Sequence, residues 1–171
     1  MIYADRAQAG QALAKRLARY RDDPDAIVLA LPRGGVPVGY EVARALNLPL
    51  DVFVVRKLGV PGQEEYAMGA VASGGVRVMN PDAASLHLPR PVVEAVALRE
   101  TEELMRRERL YRGDRPRLAL DGRTAILVDD GLATGSTMRA AALAVRKLAP
   151  KRIVVAVPVA ARETCATFRA I

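Results

Sequence analysis

The chain has no tryptophan, two phenylalanines, one cysteine and one histidine in 171 residues. The lone Cys165 cannot form an internal disulfide, so no cross-linked framework is available. One cysteine and one histidine, His87, are too few soft ligands for a structural zinc site. The shortage of large aromatics removes the stacking platforms on which single-stranded nucleic acids lie. No apolar run approaches the roughly 20 residues that span a bilayer. The opening segment, MIYADRAQAGQALAKRL, lacks the apolar centre of a signal peptide. These absences leave a cytoplasmic protein without a membrane partner as the expectation.

Lysine is scarce too, with 4 against 22 arginines, and the net charge is +7. Such a field favours anionic partners. Basic runs stop at two residues, as at Arg106-Arg107, so nucleic acid is disfavoured and a small polyphosphate suits the charge better. Half of the residues are apolar, enough for one substantial core, and a single domain over 1–171 is expected.

Asp5 with Gln8 three residues on forms a capping-box pattern, followed by Leu13, Leu17 and Tyr20 at helical spacing. AIVLALPRGG (26–35) reads as a buried strand ending in a glycine loop, and Pro37 suits the first turn of a helix running to about Leu46. LDVFVVRKLG (50–59) reads as a second buried strand, completing a parallel βαβ unit. Residues 60–90 are rich in Gly and Pro and predict a mobile loop, then a hairpin of MGAVAS and VRVMN around Gly74-Gly75. A long helix over 91–112 follows, with Glu102–Arg106, Glu103–Arg107 and Glu108–Arg112 at i,i+4 spacing. Then come a strand at 124–129, a helix at 135–148, a strand at 152–157 and a helix from about 161. Continuous apolar strands alternating with helices indicate an α/β sheet covered on both faces. The chain ends inside RETCATFRAI, where the alternation calls for a further strand.

The chemistry concentrates in ILVDDGLATGST, residues 126–137. Asp129 and Asp130 end an apolar strand, where ligands of doubly wound sheets sit. Gly131 and Gly135 admit close backbone approach. The amides of Gly131, Leu132, Ala133, Thr134, Gly135, Ser136 and Thr137, at the start of a helix, form a cradle for an anion. Three hydroxyls add donors, and no Lys or Arg lies between 124 and 138. Carboxylates repel phosphate, so the acids must grip something else nearby. Sugar hydroxyls suit them, and a sugar phosphate satisfies both halves.

This stretch resembles the 5-phosphoribosyl 1-diphosphate (PRPP) binding motif of the type I phosphoribosyltransferases, in a poorly characterised branch that EEYAMGAVASGG also resembles. The resemblance implies a three-layer α/β/α fold with a mostly parallel twisted sheet, plus a small hood made of a hairpin and a flexible loop. It implies a transferase that moves the phosphoribosyl group of PRPP to an unidentified nitrogen acceptor, releasing diphosphate in nucleotide metabolism. Asp129, Asp130 and Lys57 would act at the reacting sugar, and residues 131–137 would hold the 5-phosphate. LPRGG (31–35) resembles the pyrophosphate loop, giving Arg33, Gly34 and Gly35 to the diphosphate along with Arg56 and Lys57. A non-proline cis peptide would lie at Pro32-Arg33 or Arg33-Gly34. Glu64, Glu65 and Tyr66 would belong to the flexible hood loop. Mg²⁺ would arrive with PRPP, Asp129 or Asp130 reaching it through water. The resemblance also admits a homodimer. Relatives that act on 6-oxopurines carry an Asp where this chain has Ala133, and uracil-specific relatives pair Asp with Pro, so the acceptor stays open. The alternative is a non-catalytic regulator of the same fold that senses PRPP or a nucleotide.

Overall fold

A computed structural model describes residues 3–169. Helix α1 (Arg6–Arg16) starts where predicted: the Asp5 carboxylate accepts the Gln8 amide at 2.7 Å. Strand β1 (Ala26–Ala30) leads into α2 (Gly35–Leu46), and β2 (Leu50–Val52) returns parallel to β1. Strand β6 (Thr124–Val128), helix α4 (Ser136–Arg146) and strand β7 (Arg152–Ala156) repeat the pattern. A last helix, α5, spans Arg162–Arg169. The four strands form one parallel sheet in the order β2-β1-β6-β7.

Alternation along β1 and β6 decides what covers each face. Val28, Ile126 and Val128 face α1 and α2, against Val38, Val42, Leu46 and Leu13. Ile27, Leu29, Ala125 and Leu127 face α4, against Met138, Ala141 and Val145. Because β1 and β6 are buried on both faces, they are apolar without interruption, apart from Thr124 at the start of β6.

The run 50–59 is not one strand. It leaves the parallel sheet after Val52, passes through buried Phe53 and Val54, and resumes as β3 (Val55–Val60) in a separate antiparallel sheet. The break is held by hydrogen bonds. The Phe53 amide donates to Ala30 O (2.9 Å), whereas the Val54 amide donates to Ser73 Oγ (2.9 Å) and Val54 O accepts from the Ser73 amide (2.9 Å). Apolar continuity cannot reveal such a switch, because both sheets want the same residues.

The second sheet has the order β3-β4-β5, with β4 at Gln63–Ala72 and β5 at Val76–Met79. The hairpin expected around Gly74-Gly75 is present, its two glycines at φ 84° and 72°. The mobile loop expected from residue 60 is instead a second hairpin: Val60 pairs with Gln63 across Pro61-Gly62. Glu64, Glu65 and Tyr66 therefore lie on an exposed β-ribbon rather than on an irregular loop. Gly and Pro marked a turn here, and the β-bulge near Gly59 absorbs the register shift that the pattern could not show.

Helix α3 (Arg90–Arg112) packs its buried face, including Val96, Ala97 and Leu104, against this sheet. Only one of the three predicted i,i+4 pairs forms. Glu103 takes both Arg106 and Arg107, each at 2.7 Å, which denies Arg106 to Glu102. Arg112 reaches instead to Asp51 on β2 at 2.8 Å, where burial strengthens the pair. No helix among the described residues is long and apolar enough to cross a membrane.

Candidate active site

Ala30 and Val128 end β1 and β6 as register partners. The helix after β1 covers one sheet face and the helix after β6 covers the other. The chain thus diverges between these strands, and the crevice beyond their carboxyl ends is where open α/β sheets bind ligands. The Leu31 amide donates to Val128 O at 2.8 Å, joining the two loops at their roots.

Two of the predicted groups meet there. In the first loop the Pro32–Arg33 peptide is cis, one of the two expected positions. Gly34 lies against the Asp130 side chain so closely that a Cβ at position 34 would collide with that carboxylate. Arg33 is exposed, and Gly35 opens α2.

In the second loop, Asp129 and Asp130 are both half-buried. The Asp130 amide donates to Asp129 Oδ1 at 2.8 Å. Burial pushes the Asp129 carboxyl up to about 6; the amide bond opposes this, and the neighbouring Asp130 charge adds to it. Asp130 Oδ2 accepts from Arg6 Nε at 2.9 Å and ion-pairs with a terminal Arg6 nitrogen at 2.8 Å.

Residues 131–137 wrap the start of α4. Gly135 caps the helix at φ 74°, a conformation that favours glycine. Leu132 is buried, and its backbone is tied to the segment after β7: its amide donates to Val159 O (2.9 Å) and its carbonyl accepts from Ala161 (3.2 Å). Thr164 Oγ1 donates to Ala133 O at 2.8 Å. The amides of Gly131, Ala133, Thr134, Gly135 and Thr137 have no acceptor among the described residues. The Ser136 amide makes one long contact, 3.4 Å, to Thr134 Oγ1. A loop with this many undirected donors beside a helix N-terminus is equipped to surround an anion. Leu132 departs from the predicted cradle, since its N–H is already engaged.

The two basic residues of VVRKLG part company. They sit on consecutive positions of β3 and so face opposite sides of the sheet. Arg56 is turned to α3, where Nε and a terminal nitrogen meet Glu100 Oε2 at 2.9 and 2.6 Å. The diphosphate contact expected of Arg56 is thus not what this geometry offers. Lys57 is exposed and has no ion-pair partner among the described residues.

Sequence reasoning missed Arg6, Thr164 and the Leu132 tether. Arg6 lies far from the motif in sequence, and no spacing rule links a helix N-terminus to a strand end 124 residues later. Among the described residues no cluster of three or more His, Cys, Asp or Glu side chains forms a metal cage. The adjacent oxygens of Asp129 and Asp130 are the hard donors that Mg²⁺ prefers, and they fit an ion brought by a ligand rather than one held by protein alone.

A family model described as the phosphoribosyl transferase domain matches residues 1–167. The chain belongs to this family. Two Mycobacterium tuberculosis proteins, of strains CDC 1551 and H37Rv and provisionally named phosphoribosyl transferases, are each 46% identical over 168 residues. The match takes in 98% of this phosphoribosyl transferase domain but 38% of each relative, so the chain spans well under half of their length. Among solved structures, TT1426 from Thermus thermophilus has a TM-score of 0.87 at 45% identity, over 99% of this chain and 81% of that one. A hypoxanthine-guanine phosphoribosyltransferase from Bacillus anthracis shares the fold, with a TM-score of 0.52 at 12% identity, over 93% of this chain and 70% of that one.

Proposed function

We propose that this domain transfers the 5-phosphoribosyl group of PRPP to a nitrogen acceptor. The observation that carries the reading is the meeting of paired acids with unpaired amides in one crevice, beside a loop whose glycine touches the acid. The 5-phosphate would take the amides of Gly131 and of residues 133–137, the Leu132 amide being held by Val159 O. Asp129 and Asp130 would accept hydrogen bonds from the ribose hydroxyls. In the reaction the bond from ribose C1 to diphosphate oxygen breaks, the diphosphate leaves with its electron pair, and the acceptor nitrogen bonds to C1 and sheds its proton. Positive charge builds on the ribose ring, and the two carboxylates would stabilise it by fixed electrostatics. Lys57, Arg33 and the amide of Gly34 would meet the departing diphosphate; the Gly35 amide, expected there too, already donates to Leu31 O at 3.0 Å. Mg²⁺, carried on PRPP and reached by Asp129 or Asp130 through water, would neutralise diphosphate charge. The ribbon bearing Glu64, Glu65 and Tyr66 would close over the site and keep water out.

Ala133 offers no proton donor or acceptor to a base, which argues against an acceptor handled as 6-oxopurines are. The acceptor we infer is a small nitrogenous compound, in a cytoplasmic setting, with a homodimer as the assembly.

Calorimetric titration with PRPP and Mg²⁺, alongside a diphosphate-release assay over a panel of purines, pyrimidines and small amines, tests the reading. Binding followed by release is the expected result. The double variant Asp129→Asn, Asp130→Asn is expected to keep its fold and lose release. No heat with PRPP up to millimolar concentration would refute the proposal. Binding with no release across the panel would favour the regulator instead.

A further inference from the structure

The cation nearest the two acids comes from the opposite end of the chain. We propose that Arg6 is a positioning residue, which fixes the ribose-binding carboxylate of Asp130 by one oxygen and leaves the other for the ligand. The inference rests on the PRPP reading.

The geometry is one-sided. Both contacts of the Arg6 guanidinium fall on Asp130 Oδ2, at 2.9 and 2.8 Å. Oδ1 receives no hydrogen bond among the described residues. A competitor for the ligand would occupy both oxygens in the bidentate manner open to arginine. Here the fork turns the carboxylate and stops. It also answers an electrostatic problem, because adjacent carboxylates repel, and an unrestrained Asp130 would swing away from Asp129 towards water.

The placement costs the helix something. Arg6 is the first residue of α1, at the end where the helix dipole is positive and a cation is unfavourable. No acidic residue lies in that first turn, and the N-cap Asp5 is engaged with the Gln8 amide. Helix stability therefore does not explain an arginine here; its contact with Asp130 does.

The base of Arg6 is also held rigidly. At Gly10, α1 runs so close to α2 that a Cβ would lie 2.7 Å from Glu41 Cβ and 2.8 Å from Val38 O. Helix α2 itself begins at Gly35, in the loop whose Gly34 also lies against the Asp130 carboxylate. Arg6, Asp130 and Gly34 thus form one block. A groove of about 770 Å³, lined by Tyr3, Arg6, Pro37, Asp130, Pro158 and Val159, opens beside that block.

The test compares Arg6→Ala and Arg6→Lys with the parent chain in binding PRPP, ribose 5-phosphate and inorganic diphosphate, with melting temperature as a check on folding. Arg6→Ala is expected to weaken PRPP and ribose 5-phosphate about tenfold, equivalent to about 1.4 kcal/mol, and to leave inorganic diphosphate unchanged. Arg6→Lys keeps the charge without the fork and should recover part of the loss. Equal or tighter ribose 5-phosphate binding by Arg6→Ala overturns the inference while the PRPP reading stands. A parallel loss for inorganic diphosphate overturns it too, since charge attraction alone would then explain the effect. Failure of the parent chain to bind PRPP removes both.

Discussion

At the residue scale, Asp129 carries a tension between site and fold. Its carboxyl titrates at about 6 in the folded chain, against an ordinary value of 3.8, because burial disfavours the charged form. Between those two values the folded state keeps a proton that the unfolded chain has released, so stability falls as pH rises through this window. Above it the acid is ionised in both states and the full cost is present. Asp129→Asn mimics the protonated acid and can still accept the Asp130 amide through its Oδ1. Its melting temperature should therefore exceed that of the parent at pH 8, by about 2–4 °C for each kcal/mol relieved. The gain should shrink below pH 6 and vanish near pH 4. A variant no more stable than the parent at pH 8 would contradict the burial argument. PRPP binding, if it uses this acid, should be lost in the same variant, placing stability and activity in opposition at one atom.

At the element scale, β3 shows how much the sequence disclosed and where it fell short. The acid pair, the glycine loop and the helix that follows each strand were legible, because hydrophobic periodicity and turn chemistry are local signals. The passage of residues 50–59 from one sheet to another was not, since Phe53 and Val54 look alike in either. Nor was the choice of arginine partners. The motif pairs Arg56 with Lys57 as ligand contacts, but strand alternation sends Arg56 to Glu100, which is 9% exposed. Arg56→Met would leave that carboxylate with only the longer contact from Arg99 Nε, 3.3 Å from Oε1. Removing one partner of a fully buried pair costs about 3–5 kcal/mol; with Arg56 still 29% exposed, about 2 kcal/mol is expected. Urea unfolding should record that loss, while PRPP affinity below the transition stays near the parent value. A variant of unaltered stability that binds PRPP poorly would return Arg56 to the ligand.

At the scale of the whole molecule, the net charge of +7 acts beyond any one contact. PRPP is a polyanion, and its approach should be helped by the summed field. Raising salt from about 0.05 to 0.5 M shrinks the screening length from over 10 Å to a few ångströms, so the association rate should drop several-fold. Stopped-flow measurement checks this, and a rate indifferent to salt would mean that the charge is spread without bias toward the crevice. The two sheets are less independent than their separate hydrogen-bond ladders suggest, for a two-residue step at Phe53-Val54 feeds one from the other. That step sets a parity. Lengthen it by a single amino acid and every odd position of β3 becomes even: Lys57 would turn inward at the station of Leu58, and Arg56 would inherit the outward one. With an uncharged insert the net charge would be preserved, yet the cation on the exposed face of β3 would change from a lone ammonium to a planar guanidinium, so an insertion at this seam would alter the chemistry of that face without altering the charge of the chain.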